Sequence, residues 1–175
     1  NPNGRLCAVF TNTDLLKVEK FASGFFQVLN RIKTLYPEFA IDYIGDENSL
    51  IEESGLFQIL GCMNYDDYRT HLSRSNYLFG IVPLGGNEDI ESAMFNICKN
   101  PFKFLDYGVA GIAVVFSDVP IYGKIVSPGK NGFLTKNTEE DWFGCLDDIL
   151  KNPETALAAG LLARKDVETK HCIEY

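Results

Sequence analysis

A lysine and an aspartate follow closely on a proline in the segment 100–120, which reads NPFKFLDYGVAGIAVVFSDVP. The pattern predicts a helix beginning at Pro101, because proline has no amide hydrogen to lose and its fixed φ suits the first helical position. The first amides of such a helix, here those of Phe102 and Lys103, lack acceptors within it and attract anions. Lys103 adds a positive charge where the helix dipole alone favours an acid. The segment therefore predicts a phosphate site, which Lys99 reinforces from just before the helix.

Asp106 stands three residues after Lys103. This spacing puts both side chains on one face of the helix. A carboxylate there can accept hydrogen bonds from a ribose diol while the helix end holds phosphates, so the pair suggests a nucleotide. The alternative is an exposed ion pair between the two side chains, which contributes only about 0.2–1 kcal/mol.

The rest of the chain alternates short apolar runs with helical patterns. The apolar runs are continuous, which is typical of parallel strands buried on both faces. Alternation of this kind favours an α/β fold, and we predict a Rossmann-like parallel sheet of five or six strands with helices on both faces. The predicted strands are 5–11, 39–45, 56–61, 77–84, 112–117 and 132–134.

Ligands of such sheets bind beyond the carboxyl ends of the strands. The residues predicted there are polar and glycine-rich, and they comprise 11–13, 45–46, 61–63, 84–86 and 117–120. The longest irregular stretch, residues 85–99, follows the fourth strand and leads into the helix at Pro101. Long irregular stretches in compact domains are commonly functional. This edge of the sheet is therefore the predicted binding edge.

The last part of the chain, after Asn152, has a helical pattern. Proline at a first helical position predicts that this final helix begins at Pro153. Its leucines, Leu157, Leu161 and Leu162, are predicted to face inward.

Composition bounds the class of protein. The 175 residues are 46% apolar and suit one domain, residues 1–175. The net charge of −8 argues against nucleic acid as a partner. No apolar run approaches the length of a membrane span, no signal peptide is visible, and the first residue is not Met, so we expect a piece of a longer cytoplasmic protein.

Five cysteines without a CxxC pair, and two histidines without ligand spacing, predict free thiols and no metal.

Three motifs, taken in order, resemble the C-terminal half of group 1 glycosyltransferases with the GT-B fold. The family pattern is Ser-Pro-x-Lys-x-x-Glu-Tyr, then Gly-x-x-Val-Val-x-Ser-Asp, then Asn-Gly-x-Leu. The matching segments here are 100–107, 111–118 and 131–134. The segments 36–46 and 82–88 are also similar to the family's second strand and to its loop before the first motif. The resemblance covers nearly the whole chain, and the order and spacing of the motifs carry it.

The resemblance implies one half of a GT-B enzyme: the C-terminal domain that binds a nucleotide sugar, with the N-terminal acceptor domain outside this sequence. The implied reaction is transfer of the sugar with retention, and the lack of an Asp-x-Asp motif agrees with a metal-independent mechanism. No cofactor is implied beyond the donor substrate. The implied acceptor is a sugar or a lipid-linked acceptor, and the implied setting is bacterial surface polysaccharide or glycoconjugate synthesis, in the cytoplasm or at the inner membrane. The domain alone is expected to be inactive.

The resemblance also assigns roles to the residues of the first motif. Lys103 would contact the donor diphosphate, and Asp106 would stand in for the family's glutamate at the ribose. The amides of Phe102–Phe104 would line the phosphate site, with Asn100 and Pro101 just before them. Because aspartate is one methylene shorter than glutamate, the ribose contact is expected to be longer or bridged by water.

One departure concerns the donor sugar. The family often has another glutamate eight residues before the ribose residue, and that position is Cys98 here. Glu88, Glu91 and Asn96 are the candidates to replace it, and the sequence does not choose among them. The identity of the donor sugar therefore stays open.

Three further residues complete the predicted donor site. Gly85 and Gly86 would let the backbone of the loop approach the donor. Asp46, at the end of the second strand, would either face the base or close a turn.

Two other functions compete with this one. A nicotinamide-dependent enzyme needs the GxGxxG fingerprint after the first strand, but residues 11–17 read TNTDLLK. The second is a non-catalytic module that binds a nucleotide sugar or a protein, and Cys98 favours it. Titration with nucleoside diphosphates separates that module from a glycosyltransferase.

Overall fold

Six parallel strands form one sheet in the computed structural model. The structure describes residues 6–11, 24–46, 49–84, 94 and 97–171, and the statements below concern these residues. The strands are β1 (Cys7–Thr11), β2 (Ala40–Ile44), β3 (Gln58–Ile59), β4 (Phe79–Val82), β5 (Ala113–Ser117) and β6 (Phe133–Thr135). Each pairs with its neighbours in parallel, as the continuous apolar runs predicted.

Helices connect the strands and cover both faces of the sheet. Those within the described ranges are α1 (Phe25–Leu35), α2 (Ser49–Ser54), α3 (Tyr65–Arg74), α4 (Phe102–Val109), α5 (Pro120–Gly123), α6 (Glu139–Lys151) and α7 (Pro153–Lys170). Two of these helices have a side-chain cap: Asn64 and Thr138 accept amide hydrogens from Asp67 and Asp141, at the starts of α3 and α6.

The order of the strands is β3-β2-β1-β4-β5-β6. The chain therefore builds outward from β1 in one direction and from β4 in the other. At the boundary of the two halves, Ala8 pairs with Phe79 and Phe10 with Ile81. This is the doubly wound Rossmann order, in which a crevice opens beyond the carboxyl ends of the two central strands. The predicted fold class is confirmed.

Two apolar cores sandwich the sheet, because neighbouring residues of each strand point to opposite faces. One core joins strand residues such as Phe10 and Ile81 to α1 and α6, where Trp142 is fully buried. The other joins Val9 and Phe116 to α3, α4, α5 and α7. The second core carries α4, so it decides where the predicted phosphate site lies.

The helix α7 packs through small residues, and the prediction that its leucines face inward is wrong. Leu157, Leu161 and Leu162 are exposed, whereas Ala156, Ala159, Gly160, Ala163 and Val167 are buried. A side chain at position 160 would collide with the backbone of Gly111. The close approach of α7 to the start of β5 therefore excludes large residues from this face.

Asp42 is a buried acid within β2. Asp42 accepts a hydrogen bond from the Tyr77 hydroxyl at 2.8 Å, and that hydroxyl lies 2.7 Å from Nε2 of His71. Burial first, and then the bond to Asp42, raise the pKa of Tyr77 well above its ordinary value. The other carboxylate oxygen, Asp42 Oδ1, is buried without a hydrogen-bond partner among the described residues. Tyr77 lies two residues before β4 begins at Phe79, so this network lies toward the amino edge of the sheet.

Candidate functional site

The helix α4 is held over the sheet by one apolar face. Phe104 and Tyr107 are buried in the second core, one turn apart. Pro101 occupies the cap position and the helix itself starts at Phe102, one residue later than predicted. Gly111 ends the segment with a φ of +72°, a conformation that glycine adopts without strain. The sequence thus sets both ends of a short helix that leads straight into β5.

Lys103 points toward the carboxyl edge of the sheet. Its Nζ donates a hydrogen bond to Thr11 Oγ1 at 2.7 Å, and Thr11 is the last residue of β1. The ammonium group also lies 5.1 Å from the centroid of the Tyr68 ring. Burial lowers the pKa of Lys103, and the charge of Asp106 opposes this shift. The cation is therefore seated at the point where the strand order reverses.

A cluster of hydroxyl groups surrounds that ammonium group. Thr11 Oγ1 lies 2.9 Å from the Tyr107 hydroxyl, so one oxygen serves both Lys103 and Tyr107. Burial raises the pKa of Tyr68 to about 12, with Thr11 and Tyr107 among the opposing influences. The Tyr68 hydroxyl is buried without a hydrogen-bond partner in the described part of the chain. These groups remain neutral at physiological pH, so Lys103 carries the positive charge of the cluster.

Asp106 is bound by a tyrosine from another helix. The Tyr65 hydroxyl donates to Asp106 Oδ1 at 2.8 Å, which joins the first turn of α3 to α4. Lys103 does not pair with this carboxylate: across the described ranges, the ion pairs within 4.0 Å involve other residues. The sequence left open an exposed ion pair between Lys103 and Asp106, and the structure does not contain that pair.

The first-turn amides of α4 have no acceptor within the helix. Leu105 donates its amide to the Pro101 carbonyl at 3.3 Å, so the helix supplies no acceptor to the amides before it. Asn100 Oδ1 accepts from the Phe102 amide at a long 3.3 Å. The amides of Lys103 and Phe104 thus remain the stronger candidates for an anion.

The other predicted site residues differ in what the structure says of them. Asp46 is exposed after β2, and its backbone carbonyl accepts from the Tyr43 hydroxyl at 3.1 Å. Lys99 is half-buried before α4, and Cys98 is an exposed free thiol. Gly85, Gly86 and Asn96, like Glu88 and Glu91, lie outside the described residues.

A polar clamp at the end of β4 was not predicted. The Leu84 amide donates to Ser117 Oγ at 2.8 Å, and the Leu84 carbonyl accepts from Asn137 Nδ2 at 3.0 Å. Ser117 in turn donates to Asn137 Oδ1 at 2.7 Å. Both backbone groups of Leu84 are fixed just before the stretch that begins at Gly85. The polar residues after the strands hinted at this edge, but their pairing requires the three-dimensional structure.

Neither a metal centre nor a membrane helix is found within the described ranges. No group of three or more His, Cys, Asp or Glu side chains there is arranged to hold a metal ion. None of the helices described is both long and apolar enough to cross a bilayer.

Sequence comparison finds no relatives: no family model matches the chain, and no curated protein is significantly similar to it. Solved structures are similar in fold. The C-terminal domain of a glycosyl transferase group 1 family protein, LpcC from Francisella tularensis, aligns with a TM-score of 0.67 and 12% identity, over 98% of this chain and 88% of that one.

Larger glycosyltransferase structures match over part of their length. A mutant of S. aureus TarM, in complex with fondaparinux, α-GlcNAc-glycerol and UDP, has a TM-score of 0.73 and 14% identity over 96% of this chain and 33% of its own. Anabaena HepE in complex with UDP and glucose has 0.65 and 12% over 96% and 44%. The chain thus spans less than half the length of these proteins. Its fold is that of the C-terminal domain of a group 1 glycosyltransferase, the Rossmann-like half of a GT-B fold.

Proposed function

We propose that this chain binds the nucleoside-diphosphate part of a sugar donor, as the donor domain of a glycosyltransferase. The observation that carries the proposal is the position of Lys103, whose ammonium group is hydrogen-bonded to the end of β1. That end lies beside the reversal of strand order, where ligands of doubly wound sheets bind. A cation in this crevice is suited to a diphosphate.

The surrounding groups support the same ligand. The amides of Lys103 and Phe104 add hydrogen-bond donors and the positive end of a helix dipole to the ammonium charge. Asp106 lies on the same helix and offers a carboxylate for sugar hydroxyls. During transfer, negative charge builds on the leaving diphosphate, and fixed donors of this kind stabilise it.

The finer parts of the proposal rest on the sequence resemblance. They are a transfer with retention, a metal-independent mechanism, and an acceptor that is a sugar or is lipid-linked. The proposed setting is surface polysaccharide or glycoconjugate synthesis in the cytoplasm or at the inner membrane. An acceptor domain is required for turnover in this scheme, so we expect donor binding without transfer by residues 1–175 alone. Asp46, Lys99, Asn100, Asn96, Gly85 and Gly86 remain predicted donor-site residues.

Isothermal titration of the chain with UDP, GDP and dTDP tests the proposal, and UDP is the first probe because HepE was crystallised with it. We expect one of the three to bind, and Lys103→Met to weaken it about ten- to a hundredfold, since hydrogen bonds to charged groups contribute about 1.5–3 kcal/mol. The corresponding nucleoside, which lacks phosphates, should bind Lys103→Met and the unaltered chain alike.

The matched control is Lys165→Met, because Lys165 is an exposed lysine on α7. It removes the same net charge and should leave the affinity unchanged. Equal losses in the two lysine variants would mean that overall charge, rather than a diphosphate site at Lys103, governs binding.

A non-catalytic nucleotide-sugar module is the second candidate. Cys98 favours it, because a thiol stands where the family often has a glutamate that contacts the donor sugar. The titration with UDP, GDP and dTDP separates a donor domain from a degenerate module that contacts a protein. If none of the three nucleotides binds, the donor domain is excluded and the module is favoured.

A further inference from the structure

The contact between Tyr65 and Asp106 joins two helices across the carboxyl edge of the sheet. The residues are 41 positions apart, and the Tyr65 hydroxyl donates to Asp106 Oδ1 at 2.8 Å. Tyr65 is nevertheless 58% exposed, so its ring is not fixed by core packing. Its hydroxyl therefore stands at the surface of the crevice, beside the carboxylate assigned to the ribose.

The carboxylate keeps an oxygen for another donor. Lys103, three residues earlier, directs its Nζ to Thr11 instead. Asp106 Oδ2 has no hydrogen-bond donor among the residues that the structure describes, and a carboxylate can accept several hydrogen bonds. One oxygen of Asp106 thus accepts from Tyr65, and the other has no donor within the described part of the chain.

The tyrosine also keeps acceptor capacity. Its single hydroxyl hydrogen goes to Asp106, and its oxygen can still accept. The hydrogen bond to Asp106 is the main cause that raises the pKa of Tyr65, so the hydroxyl stays protonated and the contact stays intact at neutral pH. Two acceptors, Asp106 Oδ2 and Tyr65 Oη, therefore lie side by side.

Resting on the donor-binding function proposed above, we propose that Tyr65 is a second ribose-binding residue. Asp106 Oδ2 and Tyr65 Oη each accept one of the two ribose hydroxyls, while the bond between them fixes their spacing. Aspartate is shorter than the glutamate it replaces, and the tyrosine oxygen extends the acceptor surface toward the sugar. The pair thereby selects ribonucleotides over deoxyribonucleotides.

Titrations with UDP, 2′-deoxy-UDP and 3′-deoxy-UDP test this inference on the unaltered chain and on Tyr65→Phe, with the GDP series used if GDP binds more tightly. The unaltered chain should prefer UDP to each deoxy analogue by about tenfold. Tyr65→Phe should weaken UDP about tenfold. It should not weaken the analogue that lacks the hydroxyl contacting Tyr65, because that contact is already missing. This pattern is a coupling between one protein group and one ligand group.

The control is Tyr36→Phe. Tyr36 donates to Asp147 Oδ1 at 2.7 Å, and that bond is likewise the main cause that raises the pKa of Tyr36. Tyr36 follows α1 at the amino edge of the sheet, away from the crevice. Its variant removes the same kind of hydrogen bond and should leave all three affinities unchanged.

Each other outcome overturns the inference. Equal weakening of UDP and both analogues by Tyr65→Phe would mean that Tyr65 only supports the fold of the site. No weakening, or tighter binding, would mean that it makes no favourable contact with ribose. In these cases the donor-binding proposal stands if UDP binding still depends on Lys103. If the unaltered chain binds no nucleoside diphosphate, both proposals fail.

Discussion

Lys103 Nζ and Thr11 Oγ1 lie 2.7 Å apart, although the two residues are 92 positions apart in the chain. Thr11 ends β1, and Lys103 belongs to the first turn of α4. The same threonine oxygen lies 2.9 Å from the Tyr107 hydroxyl. A single side chain therefore ties the helix to the sheet and holds the cation at the crevice.

Replacing Thr11 by valine should destabilise the fold by about 1–3 kcal/mol. The substitution keeps the shape but removes the hydroxyl, which leaves the buried Tyr107 hydroxyl without that partner. Lys103 loses its acceptor in the same step. Urea unfolding followed by the fluorescence of Trp142, the one tryptophan of the chain, measures the change.

Thr11→Ser is the matched control, because it retains the oxygen and loses only a methyl group. It should cost less than Thr11→Val. If the serine variant is the less stable of the two, the hydroxyl does not contribute as described.

Nucleotide binding should weaken as the pH rises toward 10.5. Burial lowers the pKa of Lys103 below its usual value of 10.5, so the folded chain loses this proton earlier than an exposed lysine does. The neutral amine attracts a diphosphate less, and the loss of affinity should therefore begin below pH 10.5. The same shift acts on stability with the opposite sign: the free energy of unfolding gains from this group as the pH rises, because the unfolded chain holds the proton longer.

Titrations with UDP, or with the tightest of the three nucleoside diphosphates, at a series of pH values from neutral up to the ordinary lysine pKa of 10.5 measure this dependence. Lys103→Arg keeps its charge throughout and should flatten the profile. A decline of equal size in the arginine variant would assign the pH dependence to another group.

Removing the clamp at the end of β4 should loosen that strand end. Asn137→Ala deletes the bond to the Leu84 carbonyl and the acceptor of the Ser117 hydroxyl, and the expected cost is about 1–3 kcal/mol. Amide hydrogen exchange at Leu84 should accelerate relative to exchange at Ile81 in mid-strand.

Asn30→Ala serves as the control for the clamp, since Asn30 is exposed in the middle of α1. Its effect on the free energy of unfolding should stay within about 0.5 kcal/mol. Unchanged exchange at Leu84 in Asn137→Ala would contradict the clamp.

A methyl group at position 160 should be strongly unfavourable. The Cβ of Gly160→Ala would collide with the Gly111 carbonyl and lie 3.0 Å from the Ala113 amide nitrogen, both of them backbone atoms. Overpacking of this kind costs about 1–3 kcal/mol or more. Thermal or urea unfolding measures it.

The helix α6 offers the matched comparison. Gly144 is also inside a helix, but a Cβ there would meet nothing within 4 Å. Gly144→Ala should therefore stabilise the chain by about 0.5–1 kcal/mol through helix propensity alone. Similar effects of the two substitutions would mean that the contact between α7 and β5 is looser than described.

The sequence predicted the α/β sheet, its strand segments and the helix beside Pro101, because these depend on local patterns of apolar residues and on Pro and Gly. It predicted a common face for Lys103 and Asp106, which follows from helical spacing. It did not predict their partners. Thr11 and Tyr65 come from distant elements, and no local pattern records that the two side chains turn away from each other.

For the final helix, α7, the sequence pattern predicted the wrong buried face. Three leucines at near-helical spacing indicated a buried face, but the buried face consists of three alanines, one glycine and Val167. Hydrophobicity alone misled here, because the backbone of Gly111 lies too close for any large side chain. Small residues become the inward face only when the neighbouring element is known.

The glycine at position 80 affects where the ammonium group of Lys103 lies. A Cβ on Gly80 would lie 2.7 Å from Cε1 of Tyr107, so the aromatic ring rests directly on the bare backbone of β4. The absence of a side chain at Gly80 thereby sets the distance between α4 and the sheet. Lys103 lies on the same helix, one turn before Tyr107. A side chain at position 80 would push Tyr107, and α4 with it, away from the sheet. The ammonium group of Lys103 would then lose its hydrogen bond to Thr11 at the end of β1.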